Sequence, residues 1–223
     1  MSTLLLRFAA PLQAWGTESK YDIRKTDREP SKSGVVGFLA AALGRRRDES
    51  VEDLNELRLG VRVDQEGEII QDFHMVHKDE KTSYLTRRFY LSDAIFVVGL
   101  ESQDKEMLKK LERAVKNPVF PLFLGRRSCP PCGPILLGIH ECGLEEALDN
   151  APWQVPEWRQ NEKKDVKSFR KIVESKNGGV PRRDKAVSFN PYHREYEYRG
   201  VEESIYYLKP QIKKTEHNPM NEL

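Results

Sequence analysis

The pattern of hydrophobic and polar positions predicts alternating strands and helices over the first 142 residues. Short apolar runs bounded by glycine or proline indicate buried strands, and apolar residues at helical spacing indicate helices packed on them. In chain order the predicted elements are a strand over 2–10, a helix from Ser31 or Ser33 to Leu43, a short helix over 50–57, strands over 61–64, 68–76 and 89–100, a helix over 107–115, and strands over 119–124 and 135–139. Taken with insertions, this is the β-α-β-β-α-β order of the ferredoxin-like fold. We therefore expect an α+β protein with a ferredoxin-like, RRM-like palm over residues 1–142.

The pattern changes in the last third of the chain. Residues 157–185 are highly charged and contain glycine and proline breakers, which predicts a basic and partly mobile insertion. Aromatic and β-branched residues return over 186–208 and predict two or three strands. We expect residues 143–223 to form an accessory C-terminal β region, with a frayed tail at its end.

An excursion over residues 76–88 joins the two middle strands of the predicted palm. It carries Lys78, Lys81, Arg87 and Arg88 and few apolar side chains. A projecting basic β-hairpin of this kind, a thumb, would lie along a nucleic acid. The alternative is a disordered loop.

Charge is segregated along the chain even though the formal net charge is only +2. Residues 48–75 are strongly acidic, whereas residues 116–133 contain cations and no acid. Such a chain can bind a polyanion on one face and stay soluble on the other, although an evenly solvated mixed surface is the alternative. No apolar run approaches the ~20 residues of a membrane span, and we read no signal peptide. The odd number of cysteines argues against a disulfide scaffold. Together these observations predict a cytoplasmic protein with no membrane partner.

Two segments have the composition of an RNA-binding surface. Gly125 is followed by Arg126, Arg127 and Ser128 at the end of an apolar run, so a flexible turn presents donors that suit a phosphate backbone. The loop over 11–30 interleaves aromatic and basic residues, and single-stranded RNA binds such mixtures by stacking and by phosphate contacts.

Individual residues of the second segment have alternative interpretations. Trp15, with Tyr21 and Arg24 nearby, either stacks on a base or caps the core. Lys32 and Ser33 open a helix whose N-terminus favours anions, and a plain capping role for Ser31 or Ser33 is compatible with that.

Two alternative chemistries remain open. Cys129, Cys132, His140 and Cys142 could form a zinc site, although a single C-x-x-C pair is common by chance. The residue types that metal-independent RNA cleavage needs also occur close together in the sequence. They are His74, His77, Lys78, Lys81 and Tyr84. Walker, dinucleotide-binding and nucleophile-elbow motifs are absent from the sequence. We expect no metal, no cofactor and no catalytic residue.

Three segments together resemble one family. Residues 11–16 (PLQAWG), 33–39 (SGVVGFL) and 124–130 (LGRRSCP) are similar, in this order, to the CasD subunit family of type I-E CRISPR Cascade. The resemblance covers roughly residues 3–142. It implies a palm and thumb that hold the 5′ handle of the crRNA, cap the CasC backbone subunits and touch the large subunit CasA, so that target DNA is met only indirectly.

The resemblance also implies a non-catalytic subunit, because another subunit cuts the precursor RNA in type I-E complexes. A type I-C relative does cut, which keeps a metal-independent endoribonuclease as the alternative. The expected RNA-binding residues are Gln13, Trp15, Tyr21, Arg24, Lys32, Ser33, Lys78, Lys81, Arg87, Arg88, Arg126, Arg127 and Ser128.

Overall fold

A computed structural model describes residues 1–16, 22–77, 79, 83–162 and 168–207, with the backbone alone for residues 161 and 162. The strands are β1 (Ser2–Ala9), β2 (Leu12–Gln13), β3 (Ile23–Arg24), β4 (Arg58–Gln65), β5 (Glu68–His77), β6 (Ser83–Ser92), β7 (Ile95–Ser102), β8 (Leu136–His140), β9 (Ser168–Glu174), β10 (Val180–Ser188) and β11 (Glu195–Tyr207). The helices are α1 (Lys32–Ala42), α2 (Glu52–Asn55), α3 (Lys105–Lys116), α4 (Leu144–Asn150) and α5 (Glu157–Glu162). No helix of the described ranges is long and apolar enough to cross a membrane.

The strands form two sheets, and the fold is α+β as predicted. The larger sheet has the order β10-β11-β9-β4-β7-β1-β8, with every neighbouring pair antiparallel. In the smaller sheet β6 pairs with β5 on one side and with β2 and β3 on the other; of these pairs, β3–β6 is parallel.

The central strands of the larger sheet, β1, β4 and β7, are buried on both faces. Successive side chains of a strand point to opposite sides, so each of these strands packs against neighbours on two sides. Phe96 and Val98 of β7 belong to the main core beneath α1 and α3, whereas Val97 between them packs with α4. The uninterrupted apolar sequence of β7 therefore reflects a strand covered on both sides.

Local sequence signals set the ends of the two long helices. Ser31 caps α1 by accepting a hydrogen bond from the Gly34 N–H at 3.3 Å, and Gly44 follows the helix with φ of +78°. Asp104 caps α3. The predicted boundaries of α1 are confirmed, since a serine cap and a left-handed glycine are strong local determinants.

Two predicted strands are wrong. The run expected as one strand over 89–100 is split at Asp93, whose φ is +54°, so β6 and β7 enter different sheets. The segment 119–124 is irregular, because the N–H groups of Val119 and Phe120 donate to carbonyls at the end of α1. Pro118 and Pro121 lack donors and also disfavour a ladder there.

The C-terminal region differs from its prediction as well. Residues 157–185 were expected as a partly mobile insertion, yet they contain α5, β9 and the first part of β10. β9 pairs with β4, so the C-terminal strands continue the sheet of the first 142 residues.

The thumb is longer than the predicted excursion. β5 and β6 pair from Glu68↔Ser92 to His77↔Ser83, so the hairpin spans residues 68–92 and not only 76–88. Lys78 and Lys81 lie outside the described residues.

Candidate nucleic-acid interface

Residues 124–129 form a tight turn, here called the arginine turn, that docks against Ala14. The Ala14 N–H donates to the Leu124 carbonyl at 3.2 Å. Gly125 has φ of +86°, and a Cβ atom at this position would lie 1.7 Å from the Ala14 carbonyl oxygen. Only glycine allows both this conformation and this approach. The glycine therefore fixes the two arginines that follow it beside the 11–16 segment.

The two arginines of the turn have different environments. The Arg126 guanidinium donates to the Arg24 carbonyl at 3.0 Å and lies over the Tyr90 ring, 4.6 Å from its centroid. Its Nη1 atom is buried and has no hydrogen-bond partner within the described part of the chain. Arg127 and Ser128 are exposed. A buried donor without a partner is a group that a ligand oxygen can satisfy.

Strand pairing brings two further arginines, Arg24 and Arg88, to the same place. β3 runs parallel to β6, which places Arg24 beside Arg88, and the Arg87 N–H donates to a loop carbonyl at 2.7 Å. Arg24 and Arg87 are exposed, and Arg88 is half-buried. Arg24 and Arg88, with Arg126 and Arg127, form what we call the arginine cluster, at the base of the thumb. Arg87 points in the opposite direction: it pairs with Phe73, and its side chain lies on the other face of the hairpin.

Gln13 and Trp15 are buried and do not face solvent. Gln13 Nε2 donates to the Ala94 carbonyl at 2.7 Å, and its Oε1 accepts from Trp15 Nε1 at 3.0 Å. The Trp15 ring is 1% exposed and stacks on Phe8 at a centroid distance of 5.7 Å. The core-capping interpretation of Trp15 is correct and base stacking by its ring is excluded, because both ring faces are enclosed by the core. Direct RNA contact by the Gln13 side chain is likewise a wrong expectation.

The N-terminus of α1 is neutralised by the protein itself. The Lys32 N–H donates to Asp184 Oδ2 at 2.8 Å, and Asp184 also binds Arg199 at 2.6 Å. The Lys32 ammonium is 3% exposed and pairs with Glu174 at 2.8 Å. Burial lowers the pKa of Lys32, and Glu174 opposes that shift. The predicted phosphate contact of Lys32 is therefore wrong, since protein carboxylates occupy both its N–H and its side chain.

The remaining expected residues are placed as follows. Ser33 is buried but lines a groove beside the arginine turn. Tyr21 lies outside the residues that the structure describes, as do the two thumb lysines.

That groove contains residues that sequence reasoning missed. It runs along α1 between the arginine turn and the β10–β11 connection, and its walls include Phe123, Phe189, Arg194 and Tyr196. A mixture of exposed aromatic and basic residues at 189–198 was the available signal, and it was assigned to unspecified strands.

Comparison with known proteins decides the family. The family model for the CRISPR-associated protein Cas5 (Cas_Cas5) matches residues 3–202. The chain belongs to this family.

Relatives of this Cas5 chain have similar extents. The chain is 37% identical over 161 residues to CRISPR system Cascade subunit CasD of Escherichia coli (strain K12), covering 61% of this chain and 70% of that protein. A crystal structure of a Cas protein shares 41% identity with a TM-score of 0.73, covering 91% of this chain and 94% of the other. A chain of a CRISPR RNA-guided surveillance complex gives a TM-score of 0.78 at 28% identity, covering 92% and 90%. The shared fold thus extends well beyond the first 142 residues.

The zinc alternative gains no support in this Cas5 chain. Cys129 is buried, Cys132 is exposed, and burial raises the pKa of the Cys129 thiol. Within the described ranges, histidine, cysteine, aspartate and glutamate side chains form no group of three suited to a metal.

The two histidines of the nuclease alternative are separated by the strand that carries them. His74 and His77 are three residues apart in β5, so their side chains lie on opposite faces of the thumb. His74 pairs with Asp72. An acid and a base on opposite faces cannot serve one phosphodiester.

Proposed function

We propose that this chain is the crRNA-binding subunit of a Cascade complex and that the arginine cluster holds the 5′ handle of the guide. The observation that carries this proposal is the convergence of four arginines (Arg24, Arg88, Arg126 and Arg127) from β3, β6 and the arginine turn. Arginine forks bind phosphate oxygens, and half or more of protein–nucleic acid hydrogen bonds typically go to the backbone. Membership of the Cas5 family and similarity to CasD support the same assignment.

We infer that the four strands β4-β7-β1-β8, with α1 and α3 on one face, are a ferredoxin-like palm. In chain order these strands and helices run β1, α1, β4, β7, α3, β8, and their sheet order corresponds to 2-3-1-4. The inference extends the palm to Cys142, with the C-terminal strands as an accessory region on the β4 edge.

The proposed partners follow from the surfaces that this palm leaves free. One face of the thumb presents Phe73, Met75 and Leu85, which are 58%, 62% and 47% exposed. Exposed apolar residues grouped on one face favour a protein contact. We assign this face to the neighbouring CasC subunit and place CasA against the same end of the complex. We expect the complex to be cytoplasmic and to bind target DNA only through the guide.

Removing the exposed arginine of the turn is expected to weaken guide binding. Arg127→Ala should lower affinity for guide RNA about ten-fold, since a charge-assisted contact contributes about 1.5–3 kcal/mol. The slope of log affinity against log salt should fall by about 0.7 for the lost phosphate contact. Filter binding at several salt concentrations, followed by reconstitution with CasC and guide RNA, measures both effects.

Arg113→Ala is the matched control for this exchange. Arg113 is an exposed arginine on α3, so the variant loses the same charge outside the arginine cluster. If both variants change affinity and salt slope equally, net charge and not the cluster governs binding.

We propose that the subunit does not cut RNA. Incubation of the pure chain with cognate repeat RNA, with and without EDTA, is expected to leave the RNA intact. Metal-independent fragments that disappear in His74→Ala or His77→Ala would instead establish the endoribonuclease alternative.

A further inference from the structure

We propose that the groove beside the arginine turn is a slot for one unpaired nucleobase of the guide RNA, stacked against Phe189 and Tyr196. This inference rests on the proposed function and assigns binding residues in the C-terminal region, outside the segments that carried the family resemblance.

The slot has two joined parts, of about 460 and 220 Å³. Both parts are lined by Gly34, Gly125, Phe189 and Tyr196. α1 forms the floor, the arginine turn forms one side, and the β10–β11 connection forms the opposite side. The base would thus enter next to the arginines that hold the phosphates on either side of it.

The aromatic wall is held in position before any ligand arrives. Asn190 orders the turn that carries Phe189: its N–H donates to Ser188 Oγ at 3.2 Å, and its Oδ1 accepts from the Tyr192 N–H at 3.0 Å. The Phe189 ring edge lies 3.6 Å from where a Cβ of Gly37 would stand. Both Phe189 and Tyr196 are half-buried, so each is fixed while part of its ring faces the groove.

The charge of the lining selects the occupant. Arg126 lies at one end, and the exposed Arg46, Arg47 and Arg194 lie at the other. None of the described lining residues is an aspartate or glutamate. A flat apolar surface between cations suits a nucleobase flanked by phosphates, since bases stack on aromatic rings while cations follow the backbone. An acidic peptide could pair with the arginines but would not stack on the flat aromatic wall.

A base analogue measures insertion directly. We would titrate the full chain into single-stranded RNAs of about ten nucleotides, a length within the usual site size, each with 2-aminopurine at one successive position. Fluorescence should be quenched strongly at one position or two adjacent ones. Phe189→Leu should abolish that quenching and weaken binding roughly ten-fold, because one base stack is lost. Phe189→Tyr keeps the aromatic ring and should retain both the quenching and the binding affinity.

A second variant keeps both aromatic residues and fills the groove next to Phe189. Gly37→Leu places a side chain into the groove from α1, where leucine favours helix more than glycine does. We expect the fold to persist by circular dichroism and quenching to disappear. A retained circular dichroism spectrum in this variant would separate loss of the slot from unfolding of the chain.

Other outcomes would overturn the inference. Normal RNA binding with no quenched position, or with quenching unchanged in Phe189→Leu, would exclude a base slot while leaving the proposed function intact. Failure of the unaltered chain to bind any RNA would overturn both. Equal affinity and quenching with DNA of the same sequence would remove guide RNA as the occupant.

Discussion

Replacing Arg62 with alanine is expected to lower the free energy of unfolding by about 3–5 kcal/mol, as for other buried ion pairs that lose one partner. Arg62 is 1% exposed, and its Nε and Nη2 atoms donate to Asp64 at 2.7 and 3.0 Å. The same guanidinium donates to the carbonyls of Ala151 and Pro152 at 2.7 and 2.9 Å. Without it, a buried carboxylate loses its countercharge, and the segment after α4 loses the hydrogen bonds that join its Ala151 and Pro152 carbonyls to β4. Urea unfolding of both chains measures the difference.

Two comparison variants test whether the loss of stability comes from the buried charge. Lys109→Ala removes an exposed pair with Glu106 on α3 and should leave the free energy of unfolding nearly unchanged, because solvent screens such a pair. The double exchange of Arg62→Met with Asp64→Leu should recover much of the loss, since no unpaired charge remains buried. If Arg62→Ala and Lys109→Ala have equal effects, the buried pair does not hold the segment after α4.

Features that depend on neighbouring residues in the sequence could be predicted. α1 begins at a serine cap and ends before a left-handed glycine, and both signals are local. The arginine turn was predicted for the same reason, because Gly125 permits a conformation that other residues avoid. The alternation of strands and helices followed from periodicity alone.

Features that depend on distant partners could not be predicted. Lys32 looked like a phosphate ligand at a helix N-terminus, but Asp184 and Glu174, which satisfy it, are 152 and 142 residues away in sequence. No local pattern indicates that a later strand will place carboxylates there. Trp15 is a similar case, because its burial depends on Phe8 in β1 and on α1.

The groove was missed because its floor and its two sides come from three distant parts of the chain: α1, the arginine turn and the β10–β11 connection. Residues 157–185 were interpreted as an insertion on the basis of charge, yet β9 joins β4 and carries the β10–β11 hairpin into the main sheet. That pairing brings Phe189 and Tyr196 to α1. Composition alone cannot distinguish a mobile basic segment from strands with one solvated face.

Replacing Gly125 with alanine is expected to reduce guide binding at least about ten-fold, the effect of losing one charge-assisted phosphate contact. The new Cβ would lie 1.7 Å from the Ala14 carbonyl oxygen, which is backbone and cannot rotate away. The arginine turn must therefore move, and Arg126 would leave its position between Arg24 and Tyr90. The same binding titration used for Arg127→Ala measures this loss.

Gly138→Ala is the matched control, because it separates backbone strain from displacement of the turn. Gly138 also has positive φ, +101°, but a Cβ there would meet nothing within 4 Å. It should lower the melting temperature through a strain of about 1–2 kcal/mol while leaving RNA affinity unchanged. Equal loss of affinity in both variants would mean that global destabilisation weakens binding. A selective loss in Gly125→Ala would mean that the close contact between the turn and Ala14 sets the position of the arginines.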